Sequence, residues 1–145
     1  MNDNKDLEFA SELRTAIVRL IKKLRKHSPT GEKLSLTERS TMALLHQHKA
    51  MLPSELAAME MITNQSMSQV LNNLANMEYI IRVPSETDKR KIIISLSEKG
   101  EEVLLQFFHE RDEWLLKAIK EVCSEDEQQL LKQVIGPLNK IIDFK

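Results

Sequence analysis

The sequence predicts a mostly α-helical chain with one small β-hairpin, an α+β arrangement in which the hairpin sits inside a helical frame. Three observations carry this. Only three glycines and four prolines interrupt 145 residues, so long unbroken helices are expected. Apolar side chains recur at helical spacing in several separate stretches. One region alone, Tyr79 to Leu96, shows strand composition on both sides of a polar turn.

The first helix is expected over about Asp6 to His27, where Leu13, Ile17, Leu20 and Leu24 form a stripe widened by Ala10, Ala16 and Ile21. Its last turns carry Arg19, Lys22, Lys23, Arg25 and Lys26. These cations suit a helix C-terminus, and they could also form a basic shoulder facing phosphates. Ser28-Pro29-Thr30-Gly31 ends the helix. Ser35 and Glu38 have capping-box spacing and open a second helix, about Thr37 to His48, with Leu36, Met42, Leu44 and Leu45 as its apolar residues. His46 and His48 are two apart and do not share a helix face, so they read as solvated or core-edge histidines rather than a metal pair.

Pro53 suits the first position of a third helix. Leu56 and Ala57 point inward, Met61 and Ile62 make a turn, and Thr63 or Asn64 caps a fourth helix running to about Met77. Met67, Val70, Leu71, Leu74 and Met77 form its buried face. Its other face is Gln65, Ser66, Ser68, Gln69, Asn72, Asn73 and Asn76, and from Ile62 to Met77 there is no charged side chain. A helix serving solubility alone would carry Lys and Glu. Amides and hydroxyls suit hydrogen bonding to base edges. Helix, short turn, helix is a DNA-reading layout.

Tyr79-Ile80-Ile81-Arg82-Val83-Pro84 and Ile92 to Leu96 read as two strands of a hairpin with its tip at Asp88 to Lys91. Lys89, Arg90 and Lys91 concentrate positive charge there. Lysine is a common means of blunting an edge strand. Next to an amide-rich helix, the same cations suit a wing that reaches a phosphate or the minor groove. Ser97 caps a long helix that includes Gly100 and extends to about Val122, with Leu104, Phe108, Arg111, Leu115, Ala118 and Val122 near heptad spacing and Phe107 and Trp114 alongside. Ser124 and Glu127 start a last helix bearing Leu131, Val134, Ile135, Leu138, Ile141 and Ile142, with a bend expected at Gly136-Pro137.

The whole is a winged helix-turn-helix flanked by N- and C-terminal dimerisation helices. One domain over 1–145 is expected, with a winged lobe at about 35–100 and dimerisation helices at about 6–28 and 101–145. Both ends carry apolar stripes that a small winged lobe does not use, and a two-fold partner covers them. Lys+Arg (21) nearly balances Asp+Glu (22) for a net charge of -1, so an argument for nucleic acid must be local. A single cysteine, Cys123, excludes an internal disulfide framework; a buried, inert thiol is expected. MNDNKDLEF lacks a signal-peptide pattern and no apolar run is of membrane-spanning length, so a cytoplasmic protein without membrane association is expected. No Gly-rich phosphate loop, nucleophile elbow or metal-ligand motif is present; no enzyme activity, catalytic residue, metal or cofactor is predicted.

With these features in place the sequence resembles the MarR family of bacterial transcriptional regulators along nearly its whole length. The resemblance is carried by Leu36-Thr37, Ser54-Glu55-Leu56-Ala57, the run Glu60 to Ser68, Leu74, Ile81-Arg82, Asp88-Lys89-Arg90 and Leu96-Ser97-Glu98-Lys99-Gly100. It implies a homodimer on double-stranded, pseudo-palindromic DNA, most often as a repressor. It implies that Arg90 enters the minor groove with Asp88 holding the wing loop, and that Arg82 is the basic residue of the wing's first strand. Ser66, Ser68 and Gln69 would lie toward the major groove, and Thr63 and Gln65 near the backbone. Many members respond to a small aromatic or phenolic effector between the two lobes; no effector-binding residue is carried over. Two departures stand out. Glu78 occupies the place of a helix-ending glycine, and Gln69 and Asn73 stand where members often have Arg or Lys. Thr63, Asn64, Gln65, Ser66, Ser68, Gln69, Asn72 and Asn73 on the helix, with Arg82, Asp88, Lys89, Arg90 and Lys91 on the wing, are the candidate DNA-binding set. The alternative is a winged module that binds protein and has little DNA affinity, consistent with the near-neutral charge and the uncharged helix.

Overall fold

A computed structural model describes residues 3–31 and 33–145. The helices are α1 (Asp3–Lys26), α2 (Leu36–His48), α3 (Pro53–Glu60), α4 (Asn64–Asn76), α5 (Glu98–Val122) and α6 (Glu125–Ile142), with a short 3-10 turn at Pro29–Gly31. The strands are β1 (Ala50–Met51), β2 (Ile80–Pro84) and β3 (Ile92–Leu96). The sheet has three strands in the order β1-β3-β2, all antiparallel. β2 and β3 form the expected hairpin, and β1 adds a third strand that the sequence reading did not include. β1 is two residues long, too short for any alternation to announce it, and it is held by pairing Ala50 with Ser95 and Met51 with Ile94.

The core lies in the winged lobe. Met42, Leu45, Leu56, Met67, Leu74, Ile94 and Leu104 are each at most 1% exposed. They come from α2, α3, α4, β3 and α5, and β1 and β2 add Met51 and Ile80, which are buried but less completely. Leu71 belongs to the same cluster, whereas Val70 and Met77 are only half-buried at its margin.

Local chemistry sets the boundaries. The Ser35 hydroxyl accepts from the Glu38 amide at 3.0 Å, and Glu38 Oε1 accepts from the Ser35 amide at 3.0 Å. Pro53 starts α3, and Met61 ends it in the left-handed region at φ 56°. The expected break after α4 is made by Glu78 itself, at φ 65°. The Glu78 amide donates to Ala75 at 3.0 Å and the Tyr79 amide to Leu74 at 3.0 Å, which closes the last turn as a glycine would. α6 runs without interruption through Pro137.

α1 and α6 contain no buried residue. Phe9, Ile17, Val18, Leu20 and Ile21 on α1, and Leu131, Val134, Ile135, Ile141 and Ile142 on α6, are all exposed. Cys123, expected to be buried, is half-buried. It caps α5 at the junction with α6. Among the described residues no helix is long and apolar enough to cross a membrane.

Candidate nucleic-acid interface

Three residues, Met61 to Thr63, join α3 to α4. Thr63 Oγ1 accepts from the Ser66 amide at 3.0 Å and its hydroxyl donates to Ser66 Oγ at 2.9 Å. Thr63, not Asn64, is therefore the cap. Its hydroxyl is committed to the first turn of the helix, while Ser66 keeps a proton to donate. Asn64, Gln65, Ser66, Ser68, Gln69, Asn72, Asn73 and Asn76 are all exposed, so the uncharged polar face is a real surface. Ser66, Gln69 and Asn73 also border an open groove of about 300 Å³ whose other wall is Ser35, Thr37 and Glu38 at the start of α2.

The wing begins on β2, where alternation puts Ile80 and Arg82 on the face toward the helices. Arg82 Nη2 donates to Asn72 Oδ1 at 2.7 Å. This tie between wing and α4 was not legible in the sequence, where both residues stood as separate DNA contacts. It occupies the carbonyl half of Asn72. A bidentate pair with adenine needs both halves of the amide, so Asn72 can make one only through the second lone pair of Oδ1.

The tip is built to display cations. The Ser85 amide donates to the Lys91 carbonyl at 2.8 Å and the Lys91 amide to the Asp88 carbonyl at 2.9 Å, closing the loop. Ser85, buried at 8% exposure, accepts from the amides of Thr87 (3.3 Å) and Asp88 (3.4 Å), a support that sequence reading passed over. Asp88 Oδ1 accepts from the Arg90 amide at 3.1 Å and from Arg90 Nε at 3.3 Å. One carboxylate oxygen thus holds both the backbone and the side chain of Arg90. The Arg90 side chain is nevertheless 93% exposed. Lys89 and Lys91 are exposed beside it.

The wing's far end is locked to α5. The Ser97 amide donates to the Tyr79 carbonyl at 2.9 Å, its hydroxyl donates to the Glu78 carbonyl at 2.6 Å, and the same hydroxyl accepts from the Gly100 amide at 3.0 Å. Gly100 packs against this junction so closely that a Cβ there would stand 2.1 Å from the Tyr79 carbonyl oxygen. A glycine is needed for space, not for an unusual φ. Of the two histidines, His48 is exposed, whereas His46 is half-buried and hydrogen-bonded to Glu101 of α5.

A model of the MarR family matches residues 34–92, the span from the start of α2 to the start of β3. An uncharacterized HTH-type transcriptional regulator of Mycobacterium leprae is 31% identical over 138 residues, covering 95% of this chain and 95% of that protein. Among solved structures, a MarR family protein from Bacillus stearothermophilus is similar in fold, with TM-score 0.84 at 18% identity and 99% of each chain covered. A mutant S. aureus MepR bound to an oligodeoxyribonucleotide gives TM-score 0.67 at 19% identity, covering 92% of this chain and 97% of that one. With the winged fold, the family match and a near-full-length relative in agreement, this chain belongs to the MarR family of DNA-binding transcriptional regulators.

Proposed function

We propose that the protein acts as a homodimer that binds pseudo-palindromic double-stranded DNA and represses transcription, with release by a small aromatic effector. The observation that carries the DNA reading is the junction of two complementary surfaces. α4 offers amides and hydroxyls without charge, and the wing tied to it through Arg82 and Asn72 offers Lys89, Arg90 and Lys91. In this reading Thr63, Asn64, Gln65, Ser66, Ser68, Gln69, Asn72 and Asn73 face DNA, with base contacts from the hydroxyl and amide groups. Arg90, braced by Asp88, and its lysine neighbours contact phosphate or the minor groove. The fold neighbour solved with an oligodeoxyribonucleotide supports DNA as the partner.

The dimer reading rests on the exposed apolar residues of α1 and α6, which the chain itself leaves uncovered. The layout is one domain, with the lobe at about 35–100 carried by the terminal helices. Two copies of α4 one DNA turn apart would read an inverted repeat. Repression and effector release rest on the family resemblance; the mechanism is a ligand that favours one spacing of the two α4 helices over another. Selection of bound sequences from a random DNA pool tests the core of the proposal. A palindrome is the expected product. Failure to enrich any sequence would favour a protein-interaction module, the reading that the uncharged face of α4 otherwise suits. Sedimentation showing a stable monomer at micromolar concentration would remove the dimer.

A further inference from the structure

An asparagine side chain reads opposite groups with its two halves: the oxygen accepts and the amino group donates. On α4, Asn72 is not free to turn either half outward. Arg82 Nη2 donates to Asn72 Oδ1 at 2.7 Å. A guanidinium has no acceptor, so only the oxygen can face it. The amide is thereby oriented, with Oδ1 toward the wing and the two protons of Nδ2 away from Arg82. Asn72 is exposed, as are Ser68, Gln69 and Asn76 on the same helix face. Ser66 leans the same way. The Thr63 hydroxyl donates to Ser66 Oγ, which occupies a lone pair and leaves Ser66 its proton to donate.

Charge reinforces this orientation. No side chain from Ile62 to Met77 is charged, and among the described residues Arg82 has no ion pair. The guanidinium is thus an uncompensated cation tied to an uncharged face. A hydrogen bond donated to an amide oxygen polarises the amide and strengthens its N–H donors. In the major groove guanine presents two acceptors, O6 and N7, whereas adenine presents one acceptor, N7, and one donor, N6. The second lone pair of Oδ1 remains open. An adenine amino group that used it would bring its partial positive charge up to the guanidinium, a contact of like polarity.

We propose that Arg82 is a positioning residue that decides what Asn72 reads: by turning the amide donors of Asn72 outward, it makes α4 select guanine over adenine at the base pair that Asn72 meets. The assignment rests on the regulator reading above, in which α4 lies on DNA. It reverses the ordinary preference of an asparagine, which pairs bidentately with adenine when both halves of its amide are free. The brace exists before DNA arrives, so the reader is set without the entropic cost of ordering it on binding. The remaining N–H donors of Arg82 are left for a phosphate. One side chain then both seats the wing on the backbone and sets the polarity of the reader beside it.

The test uses the full chain and the sequences it selects from a random DNA pool. Asn72→Ala, checked for folding by circular dichroism, locates the base pair that Asn72 meets, as the operator position whose preference it erases. Operators varied at that position alone are then compared by fluorescence anisotropy. The native chain is expected to favour guanine over adenine there by about tenfold, the worth of a good base contact. Arg82→Met keeps the aliphatic stem and frees the amide; it should bring the two bases to parity or put adenine ahead. Arg82→Lys, which can still donate to Oδ1, should keep guanine ahead. Adenine preferred by the native chain, an Asn72→Ala variant that erases no preference, or an Arg82→Met variant that lowers affinity for every base equally would each overturn the assignment while leaving the regulator reading intact. A pool that enriches no sequence removes the regulator reading, and this assignment falls with it.

Discussion

Gly100→Ala is the sharpest single perturbation that the structure offers. The added methyl carbon would stand 2.1 Å from the Tyr79 carbonyl oxygen and 2.9 Å from its carbon. A comfortable carbon–oxygen contact starts at about 3.3 Å. The start of α5 or the Tyr79 backbone must therefore move by more than an ångström, and neither is free to do so. The Tyr79 carbonyl already accepts from the Ser97 amide, and Ser97 holds Glu78 from the other side. Overpacking of a tight contact costs roughly 1–3 kcal/mol, and a loosened hydrogen bond about 1 kcal/mol more. Alanine's better helix propensity returns about 1 kcal/mol. We expect a net loss of about 1–3 kcal/mol, which at this size lowers Tm by roughly 3–10 °C. Urea unfolding at fixed protomer concentration, with an unchanged m-value, measures it. A loss below about 0.5 kcal/mol would show that the junction yields easily and that the close approach was misjudged.

Glu78→Gly should act in the opposite sense. Relief of a non-glycine residue at φ 65° is expected to stabilise the chain by about 1 kcal/mol in the same unfolding assay, and a destabilised variant would contradict the strain argument. Arg90→Ala should leave stability within about 0.5 kcal/mol, because the side chain is 93% exposed. It should make the slope of log affinity against log salt shallower by about 1.8 for a dimer that loses one contact per wing; fluorescence anisotropy with an unchanged slope would remove the wing from the interface. Arg82→Ala frees the Asn72 carbonyl. A change in base preference at particular operator positions is expected, read by competition among single-base variants; a uniform fall in affinity would mean that Arg82 only touches phosphate.

Helix existence, caps and the polar face of α4 were legible because each depends on neighbours in sequence. Ser35 with Glu38 and Ser124 with Glu127 are local motifs that form as read, and of the two cap candidates Thr63 and Asn64 it is Thr63 that caps α4. What escaped depends on residues brought together by folding. β1 has only two residues and exists through its pairing with β3. The Arg82–Asn72 bond spans two elements and ties two of the candidate DNA-binding residues to each other. No local pattern marks Arg39 as buried; its burial comes from the packing of α5, with Phe107 against its guanidinium. Glu78 was noticed as a missing glycine, but that the chain would take the left-handed turn with a glutamate was a matter of tertiary restraint.

The lock between Ser97, Gly100 and the Glu78–Tyr79 backbone also has a mechanical meaning. α5 contains 25 residues, a rod of roughly 37 Å at 1.5 Å per residue. The wing is bolted to its near end and is joined on the other side to β1, so hinge freedom between rod and wing is small. A tilt of about 5° at the far end of such a rod carries the near end through about 3 Å, nearly one base-pair step of DNA. Small rotations where α5 meets α6 are thus magnified into displacements at the scale of groove registry, and the gain is set by the length of the helix.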